Sequence, residues 1–248
     1  MTAPMTVTVL GCATPYPRPG EPCSGYLVQA DGATVWIDAG SGTLAALQTQ
    51  IDVTDVDAVW ISHLHPDHSS DLLNAWNLYV NADNPPRPVV AGPPGWTANA
   101  DAFLGRPGAM HEVFDTVDLE DGHRLTVRCL TLTAYRTRHG VPTYGVRITA
   151  PDGAVLAYSA DSAPCDALTE LARDADLLII ETGATNGHPG HCTPEDAAKT
   201  ATAAGARRIL LTHLADGLSR DEAFARAAAL CNRPLDVAEA GWRNTVRP

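Results

Sequence analysis

The stretch "VDAVWISHLHPDHSSD", residues 56–71, passes from apolar to metal-seeking chemistry within a few positions, and it constrains the fold more than any other part of the chain. Residues 56–63 read as a buried strand. Side chains two apart on an extended segment point the same way, so His63 and His65 can converge on one ion. Pro66 then ends the strand: its fixed φ and missing N–H turn the chain, and Asp67 and His68 project from the start of the next element toward a neighbouring point. Histidines on a core strand normally occur singly, each with one hydrogen-bond partner. Three imidazoles and a carboxylate in this spacing are a ligand set for two adjacent metals.

Around this segment, strands and helices alternate. Val-, Ile- and Thr-rich runs predict strands over 5–11, 25–30, 33–40, 87–92, 124–137, 143–150, 154–161, 176–182 and 207–213, with "PDG" at 151–153 as a hairpin turn. Thr193 with Pro194 opens a helix that Gly205 closes, and Ser219 with Glu222 forms a capping box before "AFARAAAL". Shorter helices are expected over 43–49, 70–80, 95–104 and 166–173. A strand-rich first half and a second half of alternating strands and helices give a layered α/β class, and the strand-rich start of each half leaves room for a diverged duplication. At 248 residues the chain can bury a real core, and residues 1–248 are read as one domain.

Composition excludes several function classes. Apolar residues make up 45% and charged residues 19%, and no apolar run approaches the roughly 18 residues of a membrane span, so a soluble protein without a membrane partner is expected. "MTAPMTVTVLG" lacks a basic segment followed by an apolar one, which makes the cytoplasm the default. Cys12, Cys23, Cys129, Cys165, Cys192 and Cys231 form no CxxC pair and are read mostly as buried thiols. The formal charge of −12 argues against an extended nucleic acid as partner; "ARR" at 206–208 and "YRTRH" at 135–139 are small, solvated strand ends. Trp76, Tyr79, Trp96 and Phe103 near the ligand loop are assigned mainly to core packing, although a base could stack there.

Three further residues end predicted strands: His139 after "TLTAYRTR", Asp161 after "AVLAYSA" and His213 after "RILLT". Strand ends are where α/β folds place their sites, because loops there converge on a rigid edge. With the 63–68 cluster these residues close a set for two borderline-soft ions.

Taken in order, "VTVLGCATPYP", "IDAGSGT", "ISHLHPDH", "RHGVPTYGVRI", "SADSAPCDALTELARDADLLIIETGA" and "GHCTPEDAAKTATAAGARRILLTH" resemble the metallo-β-lactamase superfamily, most closely its ribonuclease Z and small phosphodiesterase branch, over nearly the whole chain. The resemblance implies a four-layer αββα sandwich with a dinuclear site on one edge. It assigns His63, His65 and His139 to the first metal, Asp67, His68 and His213 to the second, and Asp161 to both as a bridge. Asp67 and His191 are the catalytic pair it implies, His191 as proton donor to the leaving group. Asp38 is open between a residue that orients ligands and a turn aspartate, and Glu181 between an outer hydrogen bond and a cap. Zinc is the expected metal, and Mn2+ or Fe2+ fit the same donors.

Two divalent ions with Asp67, Asp161 and a bridging hydroxide would leave the site at about +1, which suits a small anionic substrate, and ions roughly 3.5–4 Å apart suit in-line phosphodiester hydrolysis. General acid catalysis by His191 would contribute about 10² to 10⁴ in rate. The chain departs from the branch in two places. "ADS" (160–162) replaces the usual "GDT", and only 13 residues separate Arg147 from Asp161, where the tRNA-processing enzymes insert a long tRNA-gripping arm. Small phosphodiesters such as cyclic nucleotides are therefore expected over tRNA 3′-ends. The rival enzyme reading is a lactone, thioester or amide hydrolase. A non-catalytic metal-binding module is disfavoured because no ligand position is lost. Family habit and exposed strand edges make a homodimer an expected assembly.

Overall fold

The computed structural model describes residues 3–248. In chain order, the first half holds β1 (Met5–Gly11), β2 (Gly25–Ala30), β3 (Ala33–Ile37), α1 (Thr43–Gln48), β4 (Ala58–Trp60), α2 (Pro66–Asn81), β5 (Val89–Gly92), α3 (Trp96–Leu104), α4 (Ala109–Val113) and β6 (Asp115–Asp118). The second half holds β7 (Arg124–Val127), β8 (Leu130–Arg136), β9 (Tyr144–Thr149), β10 (Val155–Tyr158), α5 (Asp166–Leu171), β11 (Leu177–Thr182), α6 (Pro194–Ala204), β12 (Ile209–Leu214), α7 (Arg220–Ala228), β13 (Leu235–Val237) and β14 (Arg243–Val246).

The strands form two seven-stranded sheets, ordered β14-β1-β2-β3-β4-β5-β6 and β13-β12-β11-β10-β9-β8-β7. In each, an antiparallel meander continues into a parallel run: β3 to β6 in one, β10 to β13 in the other. Val7, Val28, Val35 and Trp60 of the first sheet pack against Leu132, Val146, Leu156 and Ile179 of the second, forming the central core. The outer faces are covered by helices. Trp36, Leu47, Leu72, Trp76, Trp96 and Phe114 seal α1 to α4 onto the first sheet, while Leu171, Ala197, Ala201 and Ala227 pack on Leu178, Ile180 and Leu211 of the second. The architecture is the expected four-layer αββα sandwich. β11 shows the reason in miniature: Leu177 and Ile179 face the partner sheet, Leu178 and Ile180 face helices, and a parallel strand covered on both sides is apolar along this stretch, turning polar only at Glu181 and Thr182 toward the site.

Local details differ from the sequence expectation. Residues 124–137 are two strands, β7 and β8, turning at Arg128, whose φ of 53° is left-handed without glycine. The strand expected over 56–63 is regular only at Ala58–Trp60, and residues 61–64 run on as an extended loop that carries the ligands. α2 starts at Pro66 rather than at 70, which places Asp67 and His68 in its first turn. The short elements α4, β6, β13 and β14 carry no periodic signal and were not expected.

Candidate metal centre

Four loops at one edge of the sandwich bring the predicted ligands together. The loop from β4 delivers His63 and His65, and α2 supplies Asp67 and His68 just after Pro66. His139 follows β8, Asp161 follows β10, and His213 lies near the end of β12. Donor atoms of His63, His65, His139 and Asp161 lie within 4.8 Å of one another; so do those of Asp67, His68 and His213, and those of Asp161, His191 and His213. Asp161 thus stands between the two ligand groups, with Oδ2 3.7 Å from His63 Nε2 and 3.3 Å from His213 Nε2.

The backbone is built around this convergence. The loop after β3 is stitched to the start of α2: Ala39 N donates to the His68 carbonyl at 2.7 Å, and Ser24 N to the Asp67 carbonyl at 3.1 Å. A Cβ at Gly40 would lie 2.2 Å from the Asp67 carbonyl oxygen, so only glycine permits this approach. Asp38, Ala160 and His213 adopt left-handed φ of 53°, 53° and 51°. Strain at three non-glycine positions in one site belongs to its function, since packing must hold each residue there. Ala160 takes this conformation where the related motif has glycine.

Four of the five candidate ligand rings are aimed through their far nitrogen. Ser62 Oγ donates to Asp38 Oδ2 at 2.9 Å and therefore accepts from His63 Nδ1 at 3.1 Å. His68 Nδ1 donates to Asp38 Oδ2 at 2.7 Å, His139 Nδ1 donates to the Gly190 carbonyl at 2.9 Å, and Ser24 Oγ lies 3.1 Å from His213 Nδ1. These bonds fix tautomers that leave Nε2 of His63, His68 and His139 facing the centre. His65 instead turns Nδ1 inward, 2.9 Å from His63 Nε2 and 3.2 Å from His139 Nε2. Asp38, fully buried, also accepts from Ser62 N and Tyr158 OH at 2.8 and 2.7 Å. Of the two roles left open for Asp38, orienting the ligands is the one its bonds describe.

Electrostatics match the geometry. Burial pushes His63 and His139 below the ordinary histidine value and takes His213 down to about 4, so these imidazoles are neutral donors at neutral pH. Burial also opposes charge on His68 and on Asp161, but each is overridden. Asp161 and Asp38 hold His68 well above its usual range, and His213 and His68 hold Asp161 well below.

The chemistry of this set fits divalent metal. His68 Nε2 and Asp161 Oδ1 are buried without a hydrogen-bond partner; they lie 3.3 Å apart but are misaligned for a bond. Orphaned polar atoms are rare in folded proteins and costly, and an ion between them resolves both. Imidazole nitrogens and carboxylate oxygens are the donors such an ion takes.

His191 stands at the margin of the cluster, half-buried, its Nδ1 4.0 Å from Asp161 Oδ2 and 3.0 Å from Glu181 Oε1. Burial raises the Glu181 carboxyl to about 7, and the hydrogen bond from Glu181 raises His191 against its own burial. A Cβ at Gly183 would lie 2.7 Å from His191 Nδ1, so glycine is required beside this pair. Glu181 also accepts from Ser162 N at 2.8 Å and is thus an outer hydrogen-bond partner. Thr14, Ser24 and Ser62, which sequence reasoning missed, complete the set: Thr14 Oγ1 donates to Asp67 Oδ2 at 3.0 Å and lies 2.8 Å from His213 Nε2. The only sequence signal for Thr14 is its place within "GCATPYP".

Residues 21–214 match the Beta-lactamase superfamily domain. The chain belongs to this superfamily. Its sequence is 34% identical to the uncharacterised protein Rv1339 of Mycobacterium tuberculosis, over 95% of this chain and 93% of that one. It is 29% identical to the probable metallo-hydrolase YhfI of Bacillus subtilis, over 96% and 98% of the two chains, and the crystal structure of YhfI superposes with a TM-score of 0.88, 28% identity and coverage of 98% and 99%. A ribonuclease Z of Salinispora arenicola is 28% identical over 89% of this chain and 90% of its own. This member is a metallo-hydrolase, and among the described residues no helix is long and apolar enough to cross a membrane.

Proposed function

We propose that this metallo-hydrolase is a dinuclear phosphodiesterase acting on a small anionic diester. One observation carries the reading: His191, hydrogen-bonded at 3.0 Å to the buried Glu181 carboxylate, stands beside Asp161, the carboxylate that the two candidate ligand groups share. His63, His65 and His139 would hold one divalent ion, Asp67, His68 and His213 the second, and Asp161 both, with zinc best suited to these donors. Such ions, when bound, supply Lewis acidity toward phosphoryl oxygens and make water acidic near neutrality.

The chain's own residues do the rest. Glu181 Oε1 fixes Nδ1 of His191, leaving Nε2 to protonate the departing alkoxide. The alkoxide that a phosphodiester releases needs that proton. Asp67 is held by Thr14 on one side and lies at the α2 N-terminus on the other, a place that favours its charge. The ribonuclease Z relative acts, by its name, on RNA. Here the residues between Arg147 and Asp161 are used up by the end of β9, a tight turn at 151–153 and β10, leaving no arm, and the net charge of −12 opposes a long polyanion.

Metal-loaded protein should hydrolyse bis(p-nitrophenyl) phosphate and 3′,5′-cyclic AMP, and chelation or Asp67→Ala should abolish both activities. His191→Ala should lower 3′,5′-cyclic AMP turnover by about 10² to 10⁴ at unchanged metal content and affect bis(p-nitrophenyl) phosphate far less, because p-nitrophenolate leaves without a proton. Activity on a simple lactone with none on either diester would overturn the substrate class.

A further inference from the structure

Beside the cluster, where the loop after β1 meets the loop after β12, lies a cavity of about 400 Å³ that the chemistry above does not use. Its inner end is Thr14, whose hydroxyl touches Asp67 and His213, and Leu214, which directly follows His213. Thr14 thus borders both the cavity and the candidate ligand cluster. Its volume falls in the range of small-molecule sites, about 300–1,000 Å³.

The lining has two parts. The walls are apolar, with Ala13, Pro22, Leu218 and Ala238. The rim is charged: Arg18 pairs with Asp216 at 3.0 Å and Arg220 with Glu239 at 2.8 Å, and Glu21 adds a third carboxylate. The lining itself holds two guanidiniums and two carboxylates, Glu21 and Asp216, and the Glu239 carboxylate bound to Arg220 just outside it brings the local charge to about −1, so a second anionic group would enter against the local field. Each guanidinium gives only one nitrogen to its carboxylate, which leaves further N–H donors for a neutral acceptor. Arg18 also lies over the half-exposed Tyr16 ring, 5.2 Å from its centroid.

We propose that this cavity is the subsite for the organic group esterified to the scissile phosphate. It selects an uncharged group of up to nucleoside size, with hydrogen-bond acceptors on its edge, over one carrying a second phosphate. This inference rests on the phosphodiesterase reading and names the substrate half that the metal cluster does not recognise.

Three chromogenic diesters separate the possibilities: methyl p-nitrophenyl phosphate, thymidine 5′-(p-nitrophenyl phosphate) and the same thymidine ester bearing a 3′-phosphate. Metal-loaded protein should favour the thymidine ester over the methyl ester in kcat/KM by about 10- to 200-fold, and the 3′-phosphate should erase that preference. Ala240→Trp, at an exposed position on the rim, should collapse the thymidine-to-methyl ratio toward one; Ala215→Trp is the second filler should the first misfold. Glu21→Gln with Asp216→Asn, which turns the rim positive, should restore the 3′-phosphorylated ester. Calorimetry of thymidine with metal-free protein reads the cavity without turnover, and the fillers should abolish that binding. Equal kcat/KM for the methyl and thymidine esters, or a thymidine preference that survives both fillers, overturns the subsite. Thymidine binding that the fillers abolish, with no turnover of any diester, supports the cavity's ligand preference and overturns the phosphodiesterase reading instead.

Discussion

Asp38 touches no substrate in this account, yet it accepts four hydrogen bonds and fixes two ligand rings, one directly and one through Ser62. Replacing one carboxylate oxygen by an amide group puts a donor either where Ser62 N donates or where His68 Nδ1, Tyr158 OH and Ser62 Oγ donate. Asp38→Asn should therefore weaken metal binding by about 10- to 100-fold while the fold persists, read by competition with a chromogenic chelator. His188 offers a finer test. Its Nδ1 accepts from Gly190 N at 3.1 Å, and the Gly190 carbonyl in turn holds His139 Nδ1. A side chain that accepts from the N–H two residues on is what asparagine does in a turn. His188→Ala should loosen His139 and lower the affinity of the first ion, and His188→Asn should recover it. If neither variant moves metal affinity, the Gly190 peptide is held by other means.

At the scale of elements, α6 shows local chemistry deciding a boundary. Thr193 Oγ1 accepts from Asp196 N, Asp196 answers on the Thr193 N–H, Pro194 fills the first position, and Gly205 at φ 74° ends the helix. His191 lies two residues before this cap, so the same start that stabilises α6 also sets the donor. Thr193→Ala should cost about 1 kcal/mol in chemical denaturation. The cap of α6 was legible in the sequence because it depends on residues three apart; of the capping box expected at α7 only the Ser219 half forms, while Glu222 accepts from Arg226. The candidate ligands His63, Asp161 and His213 were legible because each stands near the end of an apolar run. The β7–β8 turn was not, since Arg128 takes a left-handed φ with no glycine or asparagine to announce it. Nor were β13 and β14, whose few half-exposed residues gain their pairing only from β12 and β1, distant in sequence for β14. Ser24, Ser62 and Thr14 were invisible for another reason: a hydroxyl is ordinary in any loop, and its role exists only once the fold sets it against a ring nitrogen.

For the whole molecule, the cluster links the two halves, since His63 to His68 come from the first sheet's side and His139, Asp161 and His213 from the second. Metal that binds only the folded state should raise the melting temperature with concentration, and chelation should reverse the gain. Without metal, the same cluster makes the fold acid-sensitive. Burial takes His213 from 6.5 to about 4 and lowers His63 and His139, so the unfolded chain binds protons at these positions before the folded one does. Their contribution is present in full above about pH 6.5 and is lost as pH falls toward 4. His68 and His191, whose values are raised, have already contributed fully below 6.5 and do not offset the loss. Glu181, raised to about 7, works the other way, gaining its proton early in the folded state, but it is one group against three. The melting temperature of chelated protein should therefore fall between pH 6.5 and 4.5, and His213→Gln, which removes one of the three lowered groups, should flatten that slope. A chelated melting temperature that stays level or rises over this window would show that the buried imidazoles are not held neutral by the fold.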